Sequence, residues 1–349
     1  MTPELLSYLR CPVSREPLEM EVLQTGTKHY NGIEKEIILS GILRSSDFIF
    51  PIINGIPRLT VEAFIDYETF LAKNVKDFVA IKEKINKTYS GLLQFVLKKN
   101  KRTKKSFSQE WGLFNYEEDK VWDADTEGML QRFLQENDET KETLKGKLIL
   151  DAGCGNGLLN QSIAACGATI IGMDFSQSIE RAFEKNTESG ALFIQGDVQF
   201  PPIQFDLCDI VHSSGVLICT TNSELTFSCL ETCVKKGGKI SVWLYHPVKG
   251  FIHNTFNFLR DYTSKLPHKL QYYLYTVTLL PITWIVKKIK GNKQNTREMM
   301  IDILDWFSPE FRWEHAHDEA AAWFTKRNYD RIQVTTNELF GFNIIGYKN

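Results

Sequence analysis

The chain has 349 residues, 43% of them apolar and 24% charged. That is ordinary globular usage and excludes a disordered, collagen-like or coiled-coil chain. Forty-one Lys and Arg against 43 Asp and Glu leave a net charge of −2, so no global field recruits nucleic acid and any basic patch is local.

At roughly 100 to 200 residues per domain, this length suits about two domains, or one domain with a large insertion. Residues 1–60 carry short apolar runs, Ile37-Ile38-Leu39, Phe48-Ile49-Phe50 and Ile52-Ile53, broken by Gly and Pro, and read as a small β-rich unit. The opening Met1-Thr2-Pro3-Glu4-Leu5-Leu6 lacks the charged-then-apolar layout of a targeting segment. From 61 to 105 the pattern turns helical, with Phe64, Leu71, Phe78 and Ile85 recurring every seven residues. It ends in the basic run 98–105, which reads as a solvated linker.

From 106 onward, apolar strands alternate with helices. Leu148-Ile149-Leu150, Thr169 to Met173, Leu192-Phe193-Ile194, Ile210-Val211 and Lys239 to Leu244 are the predicted strands, with helices from Leu158 and through Arg181. Near-continuous apolar strands of this kind point to a parallel sheet covered on both faces. A late helix bearing Ala320, Ala321, Trp323 and Phe324 precedes two closing strands near Arg331–Thr335 and Phe342–Tyr347. Between Leu244 and that helix lies a long segment that a minimal alternation does not require, and such runs are usually functional or a subdomain.

The seven cysteines are odd in number and lack metal-ligand spacing, so they read as free thiols in a reducing cytosol. Cys229 and Cys233, four apart, fit a buried helix face better than a metal site, and no metal is expected. The charge-free stretch from Leu270 to Val286 is too short for a membrane crossing of about 20 residues.

The chemistry concentrates in Asp151-Ala152-Gly153-Cys154-Gly155-Asn156-Gly157, where a strand runs into three alternating glycines and a helix. Glycines let the backbone turn sharply and approach a ligand, and the helix start offers free N–H groups to an anion. The dinucleotide spacing G-x-G-x-x-G is not met, since Leu158 stands at its sixth position. An acid before the glycines suits a ligand that also carries an ammonium group. Asp174, ending the next strand, stands where an acidic side chain accepts from ribose hydroxyls, and Asp197 one strand on could reach an adenine amino group. Ammonium, ribose and adenine together describe S-adenosylmethionine.

Residues 146–245 resemble the seven-stranded (class I) S-adenosylmethionine-dependent methyltransferases. The matching segments are the glycine turn, Gly172-Met173-Asp174-Phe175-Ser176, Gly196-Asp197, Phe205 to Val211 and Lys236-Gly237-Gly238-Lys239. The resemblance implies a Rossmann-like α/β fold, a seven-stranded mostly parallel sheet with helices on both faces, and S-adenosyl-L-methionine as cofactor. It places Asp151, Gly153, Gly155 and Gly157 around the methionyl part and Asp174 on the ribose. Phe175 would flank the adenine with Ser176 beside it among the cofactor-binding residues, Asp197 and Val198 would meet the adenine edge, and Ser213 and Ser214 would lie near the sulfonium. Where many small-molecule relatives carry a His pair, Ile218 and Cys219 stand, which removes any role resting on those histidines.

Ser106 to Trp111 and Trp306 to His315 are similar to segments of a bacterial group of stand-alone methyltransferases. In the first, Phe107 and Trp111 could cover the cofactor, an aromatic face attracting a cation. Residues 1–60 resemble the small zinc-ribbon-like activator of some tRNA and protein methyltransferases, through Leu9-Arg10-Cys11-Pro12-Val13 and Phe50 to Pro57. Its second cysteine is replaced by Ser14, and no other cysteine precedes Cys154, so a four-ligand zinc site is excluded there. The unit is then a packing or homodimerisation module.

Methyl transfer from a sulfonium is an in-line displacement that depends chiefly on holding the acceptor in place, with a general base needed only where the acceptor must lose a proton. His246 and Tyr245, just past the fifth strand, are the candidates, and His212 and His253 are weaker. The sequence thus divides into a degenerate zinc-ribbon-like unit (1–60), a helical linker (61–105) and a methyltransferase domain (106–349) with a helical insertion (247–312). The insertion has basic ends around an apolar centre. It suits a lid over the acceptor, or peripheral contact with the inner face of the membrane through 260–293. The expected function is cytoplasmic methyl transfer to a small or lipid-like acceptor. The alternatives are a tRNA or protein methyltransferase, or a protein that binds the cofactor without turnover.

Overall fold

The computed structural model describes residues 1–100, 126–187, 189–248, 250–289, 291–292 and 294–349. Its N-terminal sheet has four antiparallel strands in the order β1 (Glu19–Tyr30), β2 (Ile33–Arg44), β3 (Ile49–Ile53) and β4 (Ile56–Pro57). Asn31 and Gly32 close the β1–β2 hairpin with φ of 49° and 76°, the left-handed pair that matches the twist of a two-residue hairpin.

The seven-residue spacing of Phe64, Leu71, Phe78 and Ile85 does mark one buried stripe, and all four are buried. The backbone breaks it into a short turn of helix at Ala63–Asp66, then α1 (Glu68–Asn74) and α2 (Phe78–Thr88). Val75 between α1 and α2 is extended, with φ −118° and ψ 114°. Residues 90–100 are again helical.

Helix α3 (Thr126–Asn137) leads into the main sheet. Its elements are β5 (Leu148–Ala152), α4 (Leu158–Ala165), β6 (Thr169–Asp174), α5 (Ser178–Lys185), β7 (Leu192–Gln195), β8 (Cys208–Ser214), α6 (Ser223–Leu230) and β9 (Val234–Tyr245). Four helices follow: α7 (Phe251–Thr263), α8 (His268–Val277), α9 (Leu279–Ile289) and α10 (Thr296–Phe307). The chain closes with α11 (His317–Thr325), β10 (Tyr329–Asn337) and β11 (Gly341–Lys348).

The strands lie in the order β10-β11-β9-β8-β5-β6-β7. β5 to β9 are parallel, while β11 pairs antiparallel with both β9 and β10. This is the seven-stranded, mostly parallel α/β sheet the sequence implies. Alternate residues of β5 feed opposite faces: Leu150 and Ala152 enter one buried cluster and Ile149 the other. The chain leaves β5 toward β6 on one side and returns to β8 on the other. A crevice therefore opens at the carboxyl ends of β5 and β8, where such sheets place their ligands.

The N-terminal sheet does not stand off from this domain. Leu9, Ile42, Phe50, Phe64, Leu150, Ile171 and Val242 belong to one buried cluster. The Leu59 amide donates to the Gln195 carbonyl at 2.8 Å, and the Arg10 amide to that of Pro202 at 2.9 Å. Arg58 has its side chain fully buried against Glu180, 2.9 Å away, and Tyr67 donates to Gln195 Oε1 at 2.6 Å. Gln195 in turn donates to the Phe175 carbonyl at 3.0 Å. The N-terminal unit thereby braces the loop that carries Phe175.

Helices α7 to α10 make up the insertion and have a small core of their own in Tyr275, Met300, Ile303, Leu304 and Phe307. Asn295 starts α10 with a capping box, accepting from the Glu298 amide at 2.9 Å while Glu298 Oε2 accepts from the Asn295 amide at 2.8 Å.

Candidate active site

A cavity of about 480 Å3 fills the crevice above β5 and β8. Its floor is the glycine turn. Gly153 sits at φ 93° and Gly155 at φ 55°, conformations that cost a side chain strain. A Cβ on Gly153 would also fall 2.3 Å from Val216. The Gly153 amide donates to the Met173 carbonyl at 2.7 Å, and the Gly155 amide to Asp174 Oδ2 at 3.0 Å. Asp174 Oδ1 accepts from the Ser176 amide at 2.8 Å and from its hydroxyl at 2.7 Å. One carboxylate thus ties the glycine turn to the loop after β6.

Of the residues singled out in the sequence, Asp151, Gly153, Gly155, Asp174, Phe175, Asp197, Val198, Ser214 and Tyr245 line this cavity. Gly157, Ser176, Ser213 and His246 do not. Gly157 opens α4 at φ 71°, and a Cβ there would meet Ala182 and Phe193 at 2.7 Å, so its glycine serves helix-to-sheet packing. Ser176 acts through Asp174. Ser213 is buried and donates to the Ala152 carbonyl at 2.7 Å, locking β8 to β5. His246 Nε2 lies 3.0 Å from the Glu338 carbonyl, so its ring is engaged by backbone. Phe107 and Trp111 lie outside the described residues, as do Lys290 and Lys293 of the insertion.

The electrostatics separate two ends. At the glycine-turn end, burial raises Asp151 to about 7, with the Asp174 and Glu136 carboxylates adding to the rise. Burial likewise raises Asp174 above the ordinary 3.8, against its Ser176 and Gly155 hydrogen bonds. Two carboxylates desolvated this way favour a ligand that brings its own positive charge, which would restore their ionised forms.

Beyond β7, Asp197 Oδ2 accepts from Lys99 Nζ at 2.6 Å and Asn100 Nδ2 at 3.2 Å, and its Oδ1 from the Gln199 amide at 2.9 Å. Lys99 and Asp197 are both nearly buried. The expectation of a solvated linker at 98–105 therefore fails at Lys99, which reaches the cavity wall, while residues 101–105 lie outside the described residues. Removing one member of a buried ion pair strands the other charge. Lys99→Met should lower unfolding stability by about 3 kcal/mol, read as a reduced urea midpoint at unchanged slope. An unchanged midpoint would show that the pair does not hold in solution.

The far end is aromatic, walled by Trp243, Tyr245, Trp306, Phe311 and Phe340. The Arg312 guanidinium lies 4.2 Å from the Tyr245 ring centre and 4.7 Å from that of Trp306, holding both rings in place. Helix α3, which the sequence reading did not single out, supplies Met129, Arg132, Phe133 and Glu136 to this end. Its signal was available in the apolar spacing of Leu130, Phe133 and Leu134, all buried on one face.

Glu136 is buried, with Oε1 accepting from Arg132 Nε at 2.8 Å and Oε2 3.7 Å from His212 Nε2. Burial raises its pKa above 4.5, and Arg132 only partly offsets this. Asn137 Nδ2 donates to His212 Nδ1 at 3.2 Å, which puts the ring proton on Nε2, toward Glu136. Burial pushes His212 down to about 3, so its ring stays neutral.

Residues 150–242 match a family described as a methyltransferase domain. A ubiquinone biosynthesis O-methyltransferase of Coxiella burnetii is 30% identical over 105 residues, 29% of this chain and 45% of that protein. One from Bordetella parapertussis is 37% identical over 67 residues, 19% of this chain and 27% of its own. The chain therefore spans less than half the length of these curated relatives. A magnesium protoporphyrin IX methyltransferase from Synechocystis, solved with bound S-adenosylhomocysteine, superposes at TM-score 0.38 and 16% identity over 64% of this chain and 82% of that one.

Proposed function

We propose that the protein is an S-adenosylmethionine-dependent methyltransferase acting on a flat, largely apolar acceptor that carries a protic oxygen. The observation that carries this is the cavity itself, which has buried carboxylates at a glycine turn on one side and an aromatic box on the other. Bound there, S-adenosylmethionine would supply an electrophilic methyl group.

The chain's own residues divide the remaining work. Asp151 ionises against the ligand's ammonium group, Asp174 accepts from its ribose while pinning the glycine turn, and Phe175 and Val198 flank its base. Asp197 reaches the same end already charge-paired with Lys99. The aromatic walls hold the acceptor ring by stacking and exclude water. The curated relatives that the chain matches over part of its length carry an O-methyltransferase name, which supports oxygen as the acceptor atom.

Among the groups at the aromatic end, Glu136 is the best placed to take the acceptor's proton. Burial raises its pKa above 4.5, whereas His212 near 3 is too weak a base to compete. Of the insertion, α10 contributes Asp305 and Trp306 to the wall, and Phe311 follows. Among the described residues it meets the acceptor end through these side chains rather than through its apolar centre at 270–286.

Incubation with methyl-labelled S-adenosylmethionine and separate lipid, aqueous, tRNA and protein extracts tests the reading. Label is expected in an apolar, hydroxyl-bearing compound of the lipid fraction. Label confined to tRNA or protein, or cofactor binding with no transfer to any fraction, would overturn it.

A further inference from the structure

Helix α9 reads Leu279-Leu280-Pro281-Ile282-Thr283-Trp284-Ile285-Val286-Lys287-Lys288-Ile289, and none of its residues is buried. Ile282, Ile285 and Ile289 are 57%, 51% and 80% exposed. Beyond the side that packs on its neighbours α8 and α10, this helix leaves its apolar side chains in water, and contiguous patches of this kind mark interaction surfaces.

The neighbouring helices extend the patch. In α8, Gln271 and Tyr275 face inward, while Leu270, Tyr273 and Val277 are exposed. In α7, Phe258 and Tyr262 are exposed and lean on each other with ring centres 5.0 Å apart.

The charges on this face select its occupant. From Tyr262 to Arg297 the sequence holds no Asp or Glu, against six Lys and one Arg, although the whole chain is −2. The exposed lysines stand among the apolar side chains rather than opposite them. Lys269 is four residues before Tyr273 on the outward arc of α8, Lys288 is four after Trp284, and Lys265 Nζ lies 5.9 Å from the Tyr262 ring centre. Two copies of so basic a surface would repel one another, which disfavours self-association. Exposed Trp and Tyr beside lysines are the residues that settle where headgroups meet acyl chains.

We infer that the α7–α9 face docks on an anionic lipid bilayer. The apolar side chains of α9 enter the acyl boundary, and Lys265, Lys269 and Lys288 meet the headgroups. Among the described residues no helix is long and apolar enough to cross a membrane, and at about 1.5 Å per residue α9 covers roughly 16 Å, so it lies in the membrane plane. The predominantly acidic remainder of the chain is repelled from the same surface, which orients the docking. Helix α9 packs on α10, and α10 lines the cavity, so docking brings the aromatic end of the cavity near the bilayer. The docking inference does not depend on methyl transfer.

Sedimentation of the full chain with phosphatidylcholine vesicles, with and without phosphatidylglycerol, provides the test. Binding is expected to the anionic vesicles and to weaken with salt. Ile285→Glu with Ile289→Glu should lower the partition coefficient about tenfold or more, and Lys265→Gln, Lys269→Gln and Lys288→Gln together by about tenfold or more. These side chains are exposed, so circular dichroism and thermal midpoints should match the parent. No binding to anionic vesicles, or binding indifferent to both variants, overturns the inference. So does a dimer that Ile285→Glu dissolves in a protein that ignores vesicles.

Discussion

Asp174→Ala should weaken S-adenosylmethionine binding by about 2 kcal/mol or more, roughly 30-fold, the scale for lost charged hydrogen bonds. The structure gives this carboxylate a second role that makes the loss larger than a ribose contact alone. Its Oδ2 holds the Gly155 amide and its Oδ1 holds Ser176, so alanine frees the glycine turn as well. Asp174→Asn keeps an acceptor and should fall between the two.

The parent protein should also show a pH dependence of its own. Asp151 stands near 7 without a cationic ligand, and a ligand ammonium group favours its ionised form. Affinity should therefore be full above pH 7 and decline as the pH falls below it, with a proton released on binding near neutrality. Titration calorimetry in buffers of different ionisation heat reads both effects. Unchanged affinity in Asp174→Ala would remove the ribose placement.

The glycine-turn end of the cavity was legible in the sequence because its determinants are local. Strand, glycine turn and helix follow one another within ten residues, and Asp174 ends the next strand, so spacing alone placed them on one crevice. Gly157, Ser176 and Ser213 lie in the same short segments yet fall behind the cavity wall. Motif spacing fixes a backbone path but not which side chains face the ligand.

What was not legible depended on contacts far apart in the chain. Lys99 meets Asp197 across 98 residues, and a basic run carries no mark of the one lysine that turns inward. The N-terminal unit looked separable by composition, yet its Leu9, Ile42 and Phe50 share a core with Leu150 and Ile171, because alternation cannot say which sheet face a partner will cover. The apolar stretch at 270–286 suggested a lid. Among the described residues its helices leave that surface exposed, and the insertion lines the cavity through α10 and Phe311 instead.

Glu136→Gln should lower kcat by about 100-fold or more, within the range of general-base catalysis, while leaving S-adenosylmethionine affinity near that of the parent. The substitution keeps the side chain's shape. Its backbone is fixed independently, since the Glu136 carbonyl accepts from Asn343 Nδ2 at 2.7 Å and Thr335 Oγ1 at 2.9 Å. The cofactor-side carboxylates Asp151 and Asp174 are untouched, so a fall in kcat without a fall in affinity separates proton transfer from binding. The pH profile gives the second readout. A carboxylate accepts a proton only when ionised, and burial holds the Glu136 pKa above 4.5. Parent kcat at saturating S-adenosylmethionine, where the Asp151 affinity loss does not enter, should therefore be present above that raised value and be lost as the pH falls through it. In Glu136→Gln the remaining activity should lack this acid limb. An acceptor that arrives already ionised would escape the requirement, so the deficit should shrink as an acceptor's own pKa drops. A variant with parental kcat on a high-pKa acceptor, or one whose acid limb persists, would take Glu136 out of the proton-transfer role and leave Asp305 or Glu338 on the same wall to be tested in its place.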